Sequence, residues 1–238
     1  MGADQTFLNY LSGERDHVES ALQRAVEGLE AILPPSLGAA AGAGVMSGGK
    51  RLRPILLVTA YRECLAGGRA SSEAVYELAA SVELIHAYSL MHDDLPCMDD
   101  APLRRGQPTP HTIHGVGPTT WAGAALIPWA LRAAYLGASS LGLDATQSRA
   151  IARVLGDAAG AGGMVGGQAL DLLGEGKALD EDALRRLHGL KTGALLTAAL
   201  RMGAMAAGAS EEGFDLTANI TGLLESRIAT DFTVDGAA

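Results

Sequence analysis

Residues 85–100 read Ile85-His86-Ala87-Tyr88-Ser89-Leu90-Met91-His92-Asp93-Asp94-Leu95-Pro96-Cys97-Met98-Asp99-Asp100. Upstream, Leu78, Val82 and Ile85 recur at helical spacing, and Ser71 or Ser72 is a suitable N-cap. Pro96 cannot continue that helix. A mainly apolar helix therefore runs into four carboxylates within eight positions, at the end where its dipole is negative. Acids placed there repel one another and the exposed carbonyls, so the cluster calls for a cation. Oxygen donors without cysteine or clustered histidine suit a hard ion such as Mg²⁺. Magnesium commonly takes one or two carboxylates plus substrate phosphates, so a phosphorylated substrate is implied. Read alone, the same run would be an ordinary solvated acidic loop.

Two basic elements stand beside it. Arg104-Arg105 follows closely, and upstream lies Gly48-Gly49-Lys50-Arg51-Leu52-Arg53-Pro54. Glycines beside Lys and Arg let the backbone approach an anion, and the arginine fork matches phosphate oxygens. His86 precedes Asp93 by seven residues, two helical turns, which puts both on one helix face. On an apolar helix with no such neighbours, His86 would read as a hydrogen-bonded core histidine.

Composition agrees with a helical enzyme-sized chain. The 238 residues are 48% hydrophobic, 19% charged and 4% aromatic, which excludes a disordered chain. The net charge of -9 argues against a nucleic-acid surface. The apolar run from Trp121 stops at Arg132, too short to span a bilayer, and no signal-peptide pattern opens the chain. Cys64 and Cys97 form neither a metal spacing nor a disulfide framework. A cytoplasmic protein is expected. Glycine, 31 residues, stands at roughly twice average usage. Alanine is plentiful while β-branched and aromatic residues are scarce, so the expected fold class is all-α.

Helices are expected over Gln5–Leu33, from Pro54 to Gly67-Gly68, over Trp121–Gly137 with a kink at Pro128, and over Ala145–Ala161. Gly167–Leu173, Asp180–Leu190 and Gly193–Ala207 complete the set, with Ala39–Gly49 read as a flexible Gly-rich connection. No linker or repeat is visible, so residues 1–238 are expected to form a single helical domain.

Taken together, Gly48–Pro54, Ile85–Asp100 and Leu103-Arg104-Arg105-Gly106 resemble the trans-prenyl diphosphate synthases, nearest the bacterial farnesyl diphosphate synthase branch. Gly166-Gly167-Gln168-Ala169-Leu170-Asp171-Leu172 and Leu190-Lys191-Thr192-Gly193-Ala194-Leu195 continue the resemblance in order. It implies an isoprenoid-synthase-type helical bundle and a Mg²⁺-dependent prenyltransferase. The implied reaction condenses isopentenyl diphosphate with dimethylallyl or geranyl diphosphate to give farnesyl diphosphate. By resemblance, Asp93 and Asp99 bind Mg²⁺ with Asp94 in support. Lys50, Arg53, His86 and Arg105 take isopentenyl diphosphate, and Arg104 contacts the allylic diphosphate. Lys191 binds the leaving group, and Thr192 and Gln168 face the nascent cation. Asp171 pairs with Lys191 or orders metal-bound water. Tyr88, a little over one turn before Asp93, limits product length. A homodimer, or a heteromer with a full-length synthase, is also implied. Without the family pattern, Lys191 would read as a helix-end charge, Thr192 as an N-cap and Gly166-Gly167 as helix packing.

The C-terminal segment 214–238 is atypical. Asp231-Phe232-Thr233-Val234-Asp235 stands where the family has a second acidic motif, with Phe232 in place of the second Asp, and the bundle is expected to be shortened there. Ala124 stands where the family usually has Asp. Besides an active synthase, the sequence is therefore compatible with a non-catalytic or regulatory subunit of a heteromeric synthase, or an inactive truncated homologue. A terpene cyclase is disfavoured by the second set of diphosphate-binding cations, Lys50, Arg53 and Arg105.

Overall fold

A computed structural model of the chain describes residues 3–65, 72–174, 176 and 180–209. Gly67-Gly68, Ser71 and Asp231–Asp235 lie outside the described residues. Helices dominate: α1 (Ala3–Glu30), α2 (Pro35–Val45), α3 (Leu52–Cys64), α4 (Ala74–Asp93), α5 (Pro110–His114), α6 (Val116–Ser140), α7 (Ala145–Ala159), α8 (Met164–Gly174), α9 (Glu181–His188) and α10 (Ala194–Ala207). A two-residue hairpin, β1 (Leu103–Arg104) against β2 (Gln107–Pro108), supplies the strands among the described residues. No helix among them is long and apolar enough to cross a membrane. The chain divides into two compact units, Met1–Ile55 with Ser72–Gly142, and Leu56–Ser71 with Leu143–Ala238.

The first unit is built around α4. Every residue from Leu78 to Ile85 is buried, so this helix is enclosed on all sides, as an apolar helix must be. Its principal neighbour is α6. There Ala122, Leu126, Ala130, Ala134 and Ala138, one residue in four, are fully buried and form a low ridge. Gly137 brings the helices closest: a Cβ there would stand 2.6 Å from the Leu78 backbone nitrogen and 2.7 Å from its Cα. The alanine and glycine content thus has a mechanical purpose, close helix contact. Helix α6 continues through Pro128, which removes one backbone donor without ending the helix.

Residues 39–49, expected as a flexible connection, are largely helical. Pro35 stands at the first turn of α2. Gly38, Ala40, Ala41, Gly44 and Val45 are buried. The alanines favour a helix, the glycines lower its intrinsic propensity, and both let α2 settle against α1, α4 and α6, where packing outweighs the cost of the glycines.

In the second unit, the Asp144 carboxylate accepts from the Thr146 and Gln147 amides at 2.7 and 2.9 Å, capping α7. The α7 helix packs on α10. Gly203 of α10 lies against the backbone of α3 at Leu57 and Tyr61. The chain stays helical from α9 to α10 through a π-helical turn, Gly189–Gly193, instead of breaking at Leu190.

Two glycine substitutions separate close packing from propensity. Gly137→Ala should cost about 1–3 kcal/mol, because α4 and α6 must part. Gly13→Ala, where a Cβ meets nothing within 4 Å, should stabilise by about 0.5–1 kcal/mol. Urea unfolding of both variants checks the contrast.

Candidate active site

The residues singled out from the sequence fall into one group in each unit. In the first unit they gather at the C-terminal end of α4. The Asp99 amide donates to the Asp93 carbonyl at 2.9 Å, folding the chain back so that the two acids lie together. Asp100 then adopts a left-handed backbone, φ 47°, a conformation that costs a non-glycine residue about 1 kcal/mol or more. Asp99 and Asp100 are exposed, whereas Asp94 is buried. Both Asp94 carboxylate oxygens accept from Arg104, at 2.7–3.0 Å. This charge-assisted fork holds Arg104 above its ordinary pKa. Asp94 therefore anchors the hairpin, and Asp93 and Asp99 present the carboxylates of the turn.

The hairpin places the second basic pair. Arg105 and Gly106 both have positive φ, 53° and 77°, as a tight two-residue hairpin turn requires. Arg104 reaches Asp94, while the Arg105 guanidinium donates to the Gly48 carbonyl. The Gly49 backbone, φ 135°, lies so close to that guanidinium that a Cβ would collide with it. The two glycines of residues 48–49 thus admit the Arg105 side chain rather than simply loosening the loop.

Around His86 the field is strongly positive. Burial, then Arg53, Arg105, Arg51 and Arg104, lower the His86 pKa from 6.5 to about 3, so its imidazole is neutral near pH 7. Burial also lowers Arg53, with Glu83 opposing and Arg105 adding to the fall. The Arg53 Nε is buried without a hydrogen-bond partner, and Lys50 is exposed. Crowded cations, one with an unpartnered N–H, raise one another's free energy, and an anion among them would lower it.

Arg51 behaves differently from its neighbours. It is buried and bonded to Glu19 and Glu83, at 2.7 and 2.8 Å. Sequence reasoning assigned no role to Glu19 or Glu83. The signal was present in Glu83, a lone charge inside an apolar helix.

Tyr88 is buried and meets His92 edge to face, ring centroids 5.2 Å apart. His92 Nε2 lies 3.1 Å from the Thr120 carbonyl. A Cβ on Gly123 would strike that ring, so α6 leaves a slot for it. Burial and Asp93 raise the Tyr88 pKa, which keeps the phenol protonated near neutral pH.

In the second unit, the Lys191 ammonium donates to Asp171 Oδ2 at 2.5 Å. Lys191 and Thr192 lie in the π-helical turn, closed by the Ala194 amide donating to the Gly189 carbonyl. Thr192 is thus inside a helical run and is not an N-cap. Gly167 of α8 touches the Lys191 backbone with no room for a Cβ, which brings α8 and the turn into direct contact. Gln168 carries a buried Oε1 with no partner, an acceptor that is costly to leave unsatisfied. The π turn was not readable from the sequence, since its signature is a backbone bond and not a side-chain pattern.

Among the described residues, no three His, Cys, Asp or Glu side chains gather to hold a metal by themselves. Two adjacent oxygen donors, Asp93 and Asp99, fit Mg²⁺ if phosphate completes the shell.

The fold is that of the isoprenoid synthases. It overlays on the crystal structure of a geranyltransferase from Legionella pneumophila with TM-score 0.82 at 33% identity, covering 94% of this chain and 77% of that one. The family model "Polyprenyl synthetase" matches residues 34–224, and the chain belongs to that family. It is 39% identical over 200 residues to farnesyl diphosphate synthase of Geobacillus stearothermophilus, covering 84% of this chain and 65% of that protein. It is 46% identical over 166 residues to farnesyl diphosphate synthase of Escherichia coli (strain K12), covering 69% and 54%. The chain therefore spans just over half to about two thirds of the length of these relatives.

The lowered His86 pKa has a signed consequence. Between about 3 and 6.5 the unfolded chain binds more protons at this residue than the folded one does. Stability from neutral His86 is thus complete above 6.5 and is lost as pH falls towards 3. In urea unfolding, the stability difference between wild type and His86→Gln should shift against wild type as pH falls through that window. A difference independent of pH would show that His86 titrates normally.

Proposed function

We propose that the protein is a short-chain prenyltransferase that condenses isopentenyl diphosphate with dimethylallyl or geranyl diphosphate to give farnesyl diphosphate. The observation that carries this reading is the pairing, at one end of α4, of a cation cluster around neutral His86 with the Asp93–Asp99 turn. Two helical turns, about 10 Å, separate His86 from Asp93 along the axis, a spacing suited to two diphosphates lying side by side.

In this reading Lys50, Arg53, His86 and Arg105 bind isopentenyl diphosphate. Arg104, oriented by Asp94, contacts the allylic diphosphate. Asp93 and Asp99 would hold Mg²⁺, which when bound supplies positive charge to the departing diphosphate. As the allylic C–O bond breaks, its electron pair leaves with pyrophosphate. The double bond of isopentenyl diphosphate forms the new C–C bond with the cation, and loss of a proton restores a double bond. Lys191, steadied by Asp171, binds the leaving group. Thr192 and the Gln168 carbonyl direct oxygen dipoles at the cation, which they can stabilise without capturing it. Tyr88 forms the floor against which the growing chain stops. The reading treats residues 1–238 as one catalytic helical domain, at work in the cytoplasm as a homodimer or with a full-length synthase as partner.

The test is purified protein with Mg²⁺, isopentenyl diphosphate and either allylic diphosphate, followed by product chromatography. Farnesyl diphosphate is the expected product, and Asp93→Asn or Asp99→Asn should each lower kcat/KM by on the order of 10². No condensation at high protein concentration, with an altered product on adding a full-length synthase, would replace this reading with that of a regulatory subunit.

Product length has its own test. Tyr88→Ala should lengthen the product by at least one isoprene unit. Unchanged chain length would remove Tyr88 from that role.

A further inference from the structure

We propose that Arg51 is a positioning residue for diphosphate binding: its buried guanidinium, held by Glu19, Glu83 and the Val45 carbonyl, locks the loop that presents Lys50 and Arg53. The proposal rests on the reading that this cation group takes a diphosphate.

The sequence places three cations at positions 50, 51 and 53, and the structure gives them different environments. Lys50 is exposed and Arg53 is half-buried with its Nε unpartnered, but Arg51 is only 4% exposed. Its Nε donates to Glu19 Oε1 at 2.7 Å and its Nη1 to Glu83 Oε1 at 2.8 Å. Its Nη2 donates to the Val45 carbonyl at 2.9 Å and to Glu19 Oε2 at 3.3 Å. One planar group thus ties together α1, α4 and the C-terminal end of α2.

The backbone at Arg51 is equally constrained. Its φ of 50° lies in the left-handed region and follows Gly48 and Gly49, both at positive φ. Its carbonyl accepts from the Ile55 amide at 3.2 Å, opening α3, so the direction of the first turn carrying Arg53 depends on how Arg51 is held. Glu83 also acts electrostatically on Arg53, and it precedes His86 by three residues on the same face of α4. Two carboxylates against one guanidinium leave negative charge that faces Arg53 and eases the crowding of cations there.

A lysine keeps the charge but cannot reproduce a planar fork with four directed bonds. In Arg51→Lys, the dissociation constant for inorganic pyrophosphate, read by titration calorimetry, should rise about tenfold. The KM for isopentenyl diphosphate should rise similarly, while kcat and the KM for the allylic substrate stay within about twofold. Amide exchange over residues 46–53 should quicken. Glu19→Gln, at a half-exposed position, should shift every readout the same way by a smaller factor, and it decides the matter if Arg51→Lys does not fold. Arg24→Gln, which cuts the Arg24–Glu77 ion pair away from this loop, should leave pyrophosphate affinity unchanged. Unaltered affinity and exchange in the folded Arg51 variant, or an equal loss in Arg24→Gln, would overturn the proposal. If wild type fails to bind pyrophosphate, the diphosphate reading falls, and the exchange data alone still accept or reject the lock.

Discussion

The candidate site residues carried by α4 depend on how closely α6 can approach that helix. Helices bearing ordinary side chains pack with axes about 8–10 Å apart. Here Gly137 puts α6 against the Leu78 backbone, and Gly123 admits the His92 ring. Helix α4 carries His86, Tyr88 and Asp93 and is capped by Asp94, so the contact that fixes its position and rotation fixes all four. A dense interior transmits such constraints because it has little free volume in which to relax them. The alanine ridge of α6 serves the same end with almost no side-chain entropy to lose.

The electrostatics are arranged around that helix. Glu83 lies within the buried stretch, His86 one turn later, and the acids follow at the C-terminal end. Two buried carboxylates, in α4 and just after it, each have a guanidinium: Glu83 has Arg51 and Asp94 has Arg104. Burying unpaired charge is prohibitive, whereas a pair with several hydrogen bonds is tolerable. With these pairs closed internally, Lys50 and Asp99 stay exposed, and the buried Arg53 Nε has no hydrogen-bond partner. The division between structural and ligand-facing charge is therefore a matter of burial, and adjacent residues such as Lys50 and Arg51 fall on opposite sides of it.

That division explains what could be read from the sequence. Helical content followed from composition, and the acidic turn was visible because four carboxylates at a helix end need an explanation. The Gly48–Pro54 loop was legible as a cluster of cations beside glycines, but which of its cations turns inward was not. That choice depends on Glu19 and Glu83, remote in sequence, and on a left-handed φ that no side-chain pattern announces. Helix α2 was missed because its glycines read as breaks when taken one by one. Their value appears only where Gly44 meets the Met91 side chain. The π turn at Lys191 escaped for a similar reason, since its signature is a backbone bond between Ala194 and Gly189.

The same charges bear on how ligand binding and stability are linked. Burial, joined by Arg53, Arg105, Arg51 and Arg104, holds the His86 ring neutral. Cations so placed also raise one another's free energy, and an anion among them lowers that energy as it binds. The binding free energy then becomes folding stability, amounting to about 2.7 kcal/mol at a ligand concentration a hundred times the dissociation constant. His86, neutral in this field, adds no further cation to an already crowded group.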